Sequence, residues 1–344
     1  MKSFIILLLS VLIVSLSSCE YDEITINNSD IDYSVVAASS QNNRLIKIGL
    51  PDGEILSEDL LADNNTEPLS DIPSKLLRFM DKLYVLIPEN YSIEVFNDQT
   101  FERLAVYDFS AEKLEPTDIS FPNATDAYVL HGNNSKISLI DMTNYTIARQ
   151  IETKNNPVSA ACVGNQMFVA CRGSNYATVI DTRTHKQEAE VFVSYAPIFA
   201  GVSPDQGKIV ILSAGAGKYD DTDKKTECEL ALINPINHEL IGKSDLSITR
   251  YNSIDMRPIS ADVADNNYCY FSTDEFLIKI YTLSVSSPIP VLRGKYDLVY
   301  YAKHRKRLLL FENDSMNLML FNPANNNIEE KILMPTTINS VITL

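Results

Sequence analysis

The sequence predicts an all-β chain folded as a seven-bladed β-propeller, and three observations carry that prediction. One stretch, QMFVACRGSNYATVIDTRT (166–184), recurs without a gap as KLYVLIPENYSIEVFNDQT (82–100), DAYVLHGNNSKISLIDMTN (126–144) and RLLLFENDSMNLMLFNPAN (307–325). Each copy is made of short apolar runs rich in Val, Ile, Leu, Tyr and Phe, bounded by Asn, Asp, Gly and Pro, which is the pattern of strands. After the last complete copy a single apolar strand, Asn339 to Leu344, is left over.

Read from the N-terminus, residues 1–18 form an export signal: one Lys, an apolar run from Phe4 to Leu16, then small residues. Leu16-Ser17-Ser18-Cys19 resembles the lipobox of bacterial lipoproteins, which implies cleavage before Cys19 and a lipid on that residue. Glu20, Asp22 and Glu23 follow, resembling the acidic export signal of Bacteroidetes surface lipoproteins, and residues 19–31 read as a tether. The propeller is then expected over residues 32–344.

Looser copies of the repeat occupy 33–53, 208–237 and 268–284. With Gly49, Asn97, Asp141, Asp181, Asn234, Thr282 and Asn322 as the recurring mark, the spacings are 48, 44, 40, 53, 48 and 40, the range of propeller blades. Unit four divides into four strands, 158–163, 166–172, 177–182 and 188–193. The second is apolar on both faces, as blade-to-blade packing requires. The Asp or Asn after the third strand suits a turn in which a short polar side chain bonds its own backbone. Unit one has only three strands before unit two begins near Pro73. The leftover C-terminal strand is expected to pair with YSVVAAS (33–39), completing blade one and closing the ring.

The runs Tyr84-Val85-Leu86, Tyr128-Val129-Leu130 and Phe168-Val169-Ala170, each followed by a turn and then Val179-Ile180-Asp181-Thr182 or its equivalent, resemble the YVTN-type (YncE-like) propeller repeat. The likeness spans nearly the whole chain after Cys19, although no unit carries the full Tyr-Val-Thr-Asn. Together with the lipobox it resembles the surface lipoproteins of gut Bacteroidetes, one branch of which captures cobalamin for a TonB-dependent transporter.

Composition narrows the function. The chain has 29 Lys and Arg against 45 Asp and Glu, a net charge of −16. So acidic a surface disfavours nucleic acid and leaves the lipid on Cys19 as the expected route to a membrane. Cys162, Cys171, Cys228 and Cys269 read as unpaired thiols, the first two inside apolar runs. No nucleophile elbow, zincin helix or dinucleotide fingerprint is present, and the four histidines fall at different places in different units. Ser213 to Lys218 lacks the spacing of a phosphate loop. The acidic run Tyr219-Asp220-Asp221-Thr222-Asp223 lacks that of an EF-hand and reads as a solvated loop. No cofactor, metal or catalytic residue is expected.

What remains is one face of the disc. In a propeller the loops joining second to third strands emerge on the same side as those joining consecutive blades. Here they carry Tyr91, His131, Arg172, Tyr176, Tyr195, Tyr219, Tyr251, Arg257 and Tyr296, with several Asn between them. Tyr and Arg are the residues of recognition surfaces, offering amphipathic area and hydrogen bonds at little entropic cost. His131 is expected as a solvated turn residue of that face. The resulting expectation is a non-enzymatic surface lipoprotein that captures a ligand, a corrinoid first, with a protein-docking or glycan-binding subunit as the alternative and a propeller lyase or hydrolase behind both.

Overall fold

A computed structural model of the chain describes residues 33–216, 228–246 and 257–344. Seven four-stranded antiparallel sheets follow one another, within the unit Asp32–Leu344. The innermost strands are Ile338–Thr343 of blade 1, Lys75–Phe79, Pro116–Ser120, Pro157–Val163, Pro197–Val202, Ala261–Ala264 and Leu298–Ala302 of blades 2 to 7. Blade 4 runs outward as Pro157–Val163, Gln166–Cys171, Tyr176–Asp181 and Lys186–Phe192, within two residues of the strands expected. A one-turn helix, Leu60–Asp63, which the sequence did not announce, is capped by Asp59 and tucks Leu60 and Leu61 between blades 1 and 2.

Second strands are buried on both faces, as in Asp126–His131 and Gln166–Cys171, where every residue after the first is buried. Outer strands such as Lys186–Phe192 are mostly exposed, with Ala189 half-buried and Val191 buried. The core is therefore seven apolar layers, one in each cleft between neighbouring blades. Phe168, Ala170 and Val179 of blade 4, for example, meet Ile209, Ile211 and Ala231 of blade 5. Cys162, Cys171 and Cys269 are free thiols, with Cys171 and Cys269 buried in these layers, and Cys228 Sγ donates to Ala214 C=O at 3.0 Å.

The recurring Asp or Asn makes the expected turn. Asp181 Oδ1 accepts from the N–H groups of Arg183 (2.8 Å) and Thr184 (3.3 Å), and Asp141 and Asn97 do the same in their blades. Bonded to Arg183, the Asp181 carboxylate has its pKa lowered to about 2. Four residues after the mark the chain turns left-handed, at Phe101, Tyr145, His185, His238 and Asn326 (φ 54–60°), and that side chain reaches back to the preceding blade. His185 Nδ1 lies 2.7 Å from Tyr128 Oη, His238 Nε2 2.7 Å from Gln166 Oε1, and Asn326 Oδ1 accepts from Lys279 Nζ at 3.2 Å.

An innermost strand has one edge with no partner in its own sheet. The neighbouring blade supplies acceptors: Ser340 Oγ for Leu76 N–H (3.0 Å), Ser159 Oγ for Ala200 N–H (3.1 Å), Ser260 Oγ for Val299 N–H (3.0 Å) and Asp262 Oδ2 for Tyr301 N–H (2.8 Å). Ring closure follows the sequence expectation. Ile338–Thr343 pairs antiparallel with Tyr33–Ser39, matching Val35 to Thr343 and Ala38 to Ser340. The closing strand places Ile338 and Val341 in the blade 7/1 layer and Ile342 in the blade 1/2 layer.

Removing residues 338–344 strips both layers and bares the edge of Tyr33–Ser39. The truncated chain is expected to aggregate or to lose more than about 10 °C of melting midpoint by calorimetry. For the reach-back contact, Tyr128→Phe and His185→Ala should each cost about 1 kcal/mol in denaturant unfolding, and their double-mutant cycle should show a coupling of about 0.5–1.5 kcal/mol.

Candidate functional site

Two hollows lie on the blade axis side of the molecule. One, of about 380 Å³, is the central channel, lined by residues of all seven innermost strands. Its charges are mostly compensated: Lys75 Nζ meets Asp118 Oδ1 at 2.6 Å, and Arg78 meets the buried Asp98 at 2.6 Å. Asp262 is different. Its carboxylate accepts from Val263 and Tyr301 N–H at 2.8 Å each, and among the described residues it makes no ion pair. It is half-buried on the channel wall, and the cost of desolvating its charge there raises its pKa to about 6 despite those two hydrogen bonds.

The larger hollow, of about 670 Å³, is an open cavity lined by Asn156, Val158, Arg172, Tyr195, Ala196, Ile198, Ala214, Gly215, Arg257, Pro258, Ile259 and Asp274. Asn156, Tyr195 and Arg257 come from connections between blades, Arg172, Gly215 and Asp274 from loops between second and third strands. Both loop classes thus do share one face. Val158, Ile198 and Ile259 adjoin the channel residues Ser159, Phe199 and Ser260, so the cavity is the vestibule of the channel.

Local structure builds this vestibule from the chain upward. Blades 4 and 5 both enter through a residue before proline held in the left-handed region, Asn156 (φ 59°) and Ala196 (φ 53°). Asn tolerates this backbone because its short polar side chain can hydrogen-bond locally; Ala196 has no such group and is strained there. Each connection is pinned to the loop above it, Arg172 N–H to Asn156 C=O at 2.7 Å and Ala214 N–H to Ala196 C=O at 2.8 Å. Gly173 allows the first contact, since a β-carbon there would come within 2.6 Å of Asn155 Cβ. The proline then opens the inner strand, where its missing N–H costs no ladder bond. A register shift follows at Pro157/Ser159 and at Pro197/Phe199. Bulges of this kind re-aim a side chain, and the skipped residues, Val158 and Ile198, form the apolar floor.

Of the nine face residues, the structure gathers three, Arg172, Tyr195 and Arg257, in this cavity. Arg172 is exposed; Tyr195 and Arg257 are half-buried. Tyr176 stands at the start of the third strand of blade 4, its ring against Phe192 (5.7 Å between centroids) with Lys154 Nζ 5.5 Å above it. Tyr91 caps a short turn in blade 2 with φ 52° and packs on the blade 2/3 layer. Tyr219 and Tyr251 lie outside the described residues, as does Cys19, and so do Asp220 to Asp223. Asn156, Asp274 and the apolar floor were not singled out by the sequence.

Two placements are corrections. His131 is not a solvated turn residue: it ends the second strand of blade 3, fully buried, with Nε2 2.8 Å from Ser138 Oγ and its ring edge-on to Phe109 at 4.9 Å. Burial holds the imidazole neutral, with a pKa lowered to about 4. The gapless repeat carried the signal, because His131 aligns with Cys171 and Ser138 with Thr178, and Cys171 Sγ lies 3.6 Å from Thr178 Oγ1. Tyr296 is 3 % exposed in the blade 6/7 layer. Its hydroxyl donates to Arg293 C=O at 3.2 Å, and desolvation pushes its pKa up to about 12.

Among the described residues no group of three or more His, Cys, Asp or Glu could hold a metal ion. The cavity offers guanidinium, phenol, amide and one carboxylate, Asp274, which lies 3.9 Å from Lys295 Nζ. That is a set suited to holding a ligand.

No protein-family model matches the sequence, and no curated protein is significantly similar to it. Solved structures share the fold. A candidate 6-phosphogluconolactonase from Bacteroides uniformis superposes with a TM-score of 0.65 at 11 % identity, covering 91 % of this chain and 99 % of that one. Apo AztD from Citrobacter koseri gives 0.63 at 8 %, covering 91 % and 98 %. The Kuenenia stuttgartiensis hydrazine synthase chain gives 0.63 at 13 %, covering 78 % and 88 %. At these identities the likeness is one of architecture, and the function has to be argued from the cavity.

The raised pKa of Asp262 has a measurable consequence. Between about pH 4 and 6 the folded protein keeps a proton that the unfolded chain has released, so this group's contribution to stability is full below about pH 4 and is lost as pH rises to 6. Urea unfolding of the wild type and Asp262→Asn across pH 4–7 should show the variant gaining on the wild type by about 2–3 kcal/mol through that window.

Proposed function

We propose that this protein is a ligand-capture propeller: a non-enzymatic, YncE-like lipoprotein anchored through Cys19 to the bacterial outer membrane, holding its ligand in the vestibule cavity and passing it to a TonB-dependent transporter. The observation that carries the reading is the convergence of Arg172, Tyr195 and Arg257, from two blade connections and one loop, on a single cavity of about 670 Å³. That volume lies within the range of small-molecule sites, and the mixture of an apolar floor with a few placed polar groups is their usual chemistry. The lipobox and acidic tether support the anchor; the charge of −16 supports a surface that does not adsorb to anionic lipid or nucleic acid by itself.

A corrinoid is the first ligand to test. It is larger than the cavity and would lie across its mouth, with peripheral amide groups reaching Arg172, Tyr195 and Asn156. A protein-docking or glycan-binding role is the alternative reading. A lactone hydrolase, suggested by the description of the Bacteroides uniformis neighbour, has weaker support, since the described lining supplies one carboxylate, Asp274, as a base.

The chain from Glu20 onward contains the whole propeller unit and can be titrated with cobalamin, followed by its visible absorbance. Saturable one-to-one binding is expected, with Tyr195→Ala and Arg257→Ala each weakening it about tenfold or more. Absence of binding at tens of micromolar sinks the corrinoid assignment; binding that ignores both substitutions moves the site away from the vestibule.

A further inference from the structure

Lys303-His304-Arg305-Lys306-Arg307 is an unbroken run of basic side chains, the longest stretch of one sign in a sequence of net charge −16. It forms the turn between the first and second strands of blade 7, Leu298–Ala302 and Arg307–Glu312. Lys303–Arg305 make a short 3₁₀ turn closed by Lys306, whose left-handed backbone (φ 53°) lets its N–H donate to Lys303 C=O at 3.2 Å. Arg307 is engaged inward: its guanidinium holds Glu329 at 2.6 and 3.0 Å and donates to Lys306 C=O at 3.3 Å. Arg305 stacks on Tyr33, with its guanidinium carbon 4.3 Å from the ring centroid. Lys303, His304 and Lys306 are exposed and, among the described residues, make no ion pair. With Glu329 matched by Arg307, the turn carries a local excess of positive charge on Lys303, Arg305 and Lys306.

Its place in the fold gives this excess a direction. Tyr33, under Arg305, opens the first strand of the propeller, and turns between first and second strands emerge on the side opposite the vestibule, which is built from second-to-third-strand loops and blade connections. Fourteen peptide links separate Tyr33 from Cys19, a reach of at most about 50 Å, so a lipid on Cys19 keeps the basic turn close to a bilayer surface. A basic patch is the kind of second attachment that complements an acyl anchor. Its attraction to anionic lipid acts within a Debye length, about 8 Å at physiological ionic strength. At that range the surface meets the nearest charges, and the rest of the acidic body is screened.

Building on the lipid anchor of the capture reading, we infer that Lys303, Arg305 and Lys306 dock on the phosphate groups of anionic lipids in the membrane that holds Cys19, and so turn the vestibule away from the bilayer. The net charge still keeps the body from adsorbing without its lipid. The lipid brings the propeller to the surface; the basic turn selects which side faces it.

The test adds the full lipid-bearing chain to preformed vesicles of phosphatidylcholine, alone or mixed with phosphatidylglycerol, each containing a dansyl-headgroup lipid. The chain has no Trp, so His304→Trp on the basic turn and Asp314→Trp, exposed in the loop at the other end of the same strand, each supply a single energy-transfer donor. On phosphatidylglycerol vesicles transfer from the His304→Trp reporter is expected to exceed that from the Asp314→Trp reporter about twofold or more, because the strand between them spans about 20 Å. The difference should vanish on phosphatidylcholine alone, at high salt, and when Lys303→Gln and Lys306→Gln are added. Those two substitutions should leave the melting midpoint unchanged, since both side chains are exposed and make no ion pair. Equal transfer from the two reporters on phosphatidylglycerol, or a difference indifferent to lipid charge, salt and the Gln substitutions, overturns the inference; the second result assigns the turn to acids of the chain itself. If the chain floats with both vesicles while the reporters agree, the anchor stands and this inference alone falls. If it floats with neither, the anchor falls and this inference with it.

Discussion

The unpaired edge of the innermost strand is the constraint on which the rest of the propeller depends. Seven strands face the axis, and each presents backbone donors that its own sheet cannot satisfy. Burying such a group unbonded costs on the order of 1–3 kcal/mol. The chain answers with short side chains on the neighbouring strand: Ser159, Ser260, Asp262 and Ser340 each accept one N–H from the next blade. These bonds fix the height of each blade against the next, and so fix which residues meet at the channel mouth. Asp262 shows what the arrangement can cost, because a carboxylate doing a hydroxyl's work has to give up hydration of its charge.

The vestibule is a product of the same geometry. Its floor comes in part from the two bulges that follow Pro157 and Pro197, and Arg172 stands on a loop pinned to the connection beneath it. Residues of three consecutive blades line it, and two of those blades are bulged at their entrance. Strain at Ala196 is part of that modification, and it falls where the connection must turn sharply into the strand.

Much of this architecture was legible in the sequence because it repeats. The seven marks predicted the turns that Asp181, Asp141 and Asn97 make, and the leftover strand predicted the closure. Sorting loops by topology placed Arg172, Tyr195 and Arg257 on one face, which is where the structure has them. It failed for His131 and Tyr296 for a definite reason: loop boundaries assigned residue by residue ignore burial, and an aromatic or imidazole next to a turn packs inward whenever the cleft between blades has room for it. The alignment of His131 with Cys171 held the better clue. Asn156, Val158 and Ile198 were beyond reach, since their role arises from a bulge and a left-handed residue, and neither has a marked sequence pattern when Asn, Val and Ile occur at many other positions.

At five of the seven marks the residue four places on turns left-handed and its side chain reaches the preceding blade, yet its identity changes from Phe101 to Tyr145, His185, His238 and Asn326. Its partner changes with it: Tyr128 for His185, Gln166 for His238, Lys279 for Asn326. Repeats that resemble one another risk docking out of order while the chain folds, or exchanging with a second molecule. Seven identical contacts would leave that risk unchecked. Because each contact here suits one neighbour, the same device that holds the blades together also encodes their order, and the assembly carries its own address system around the ring.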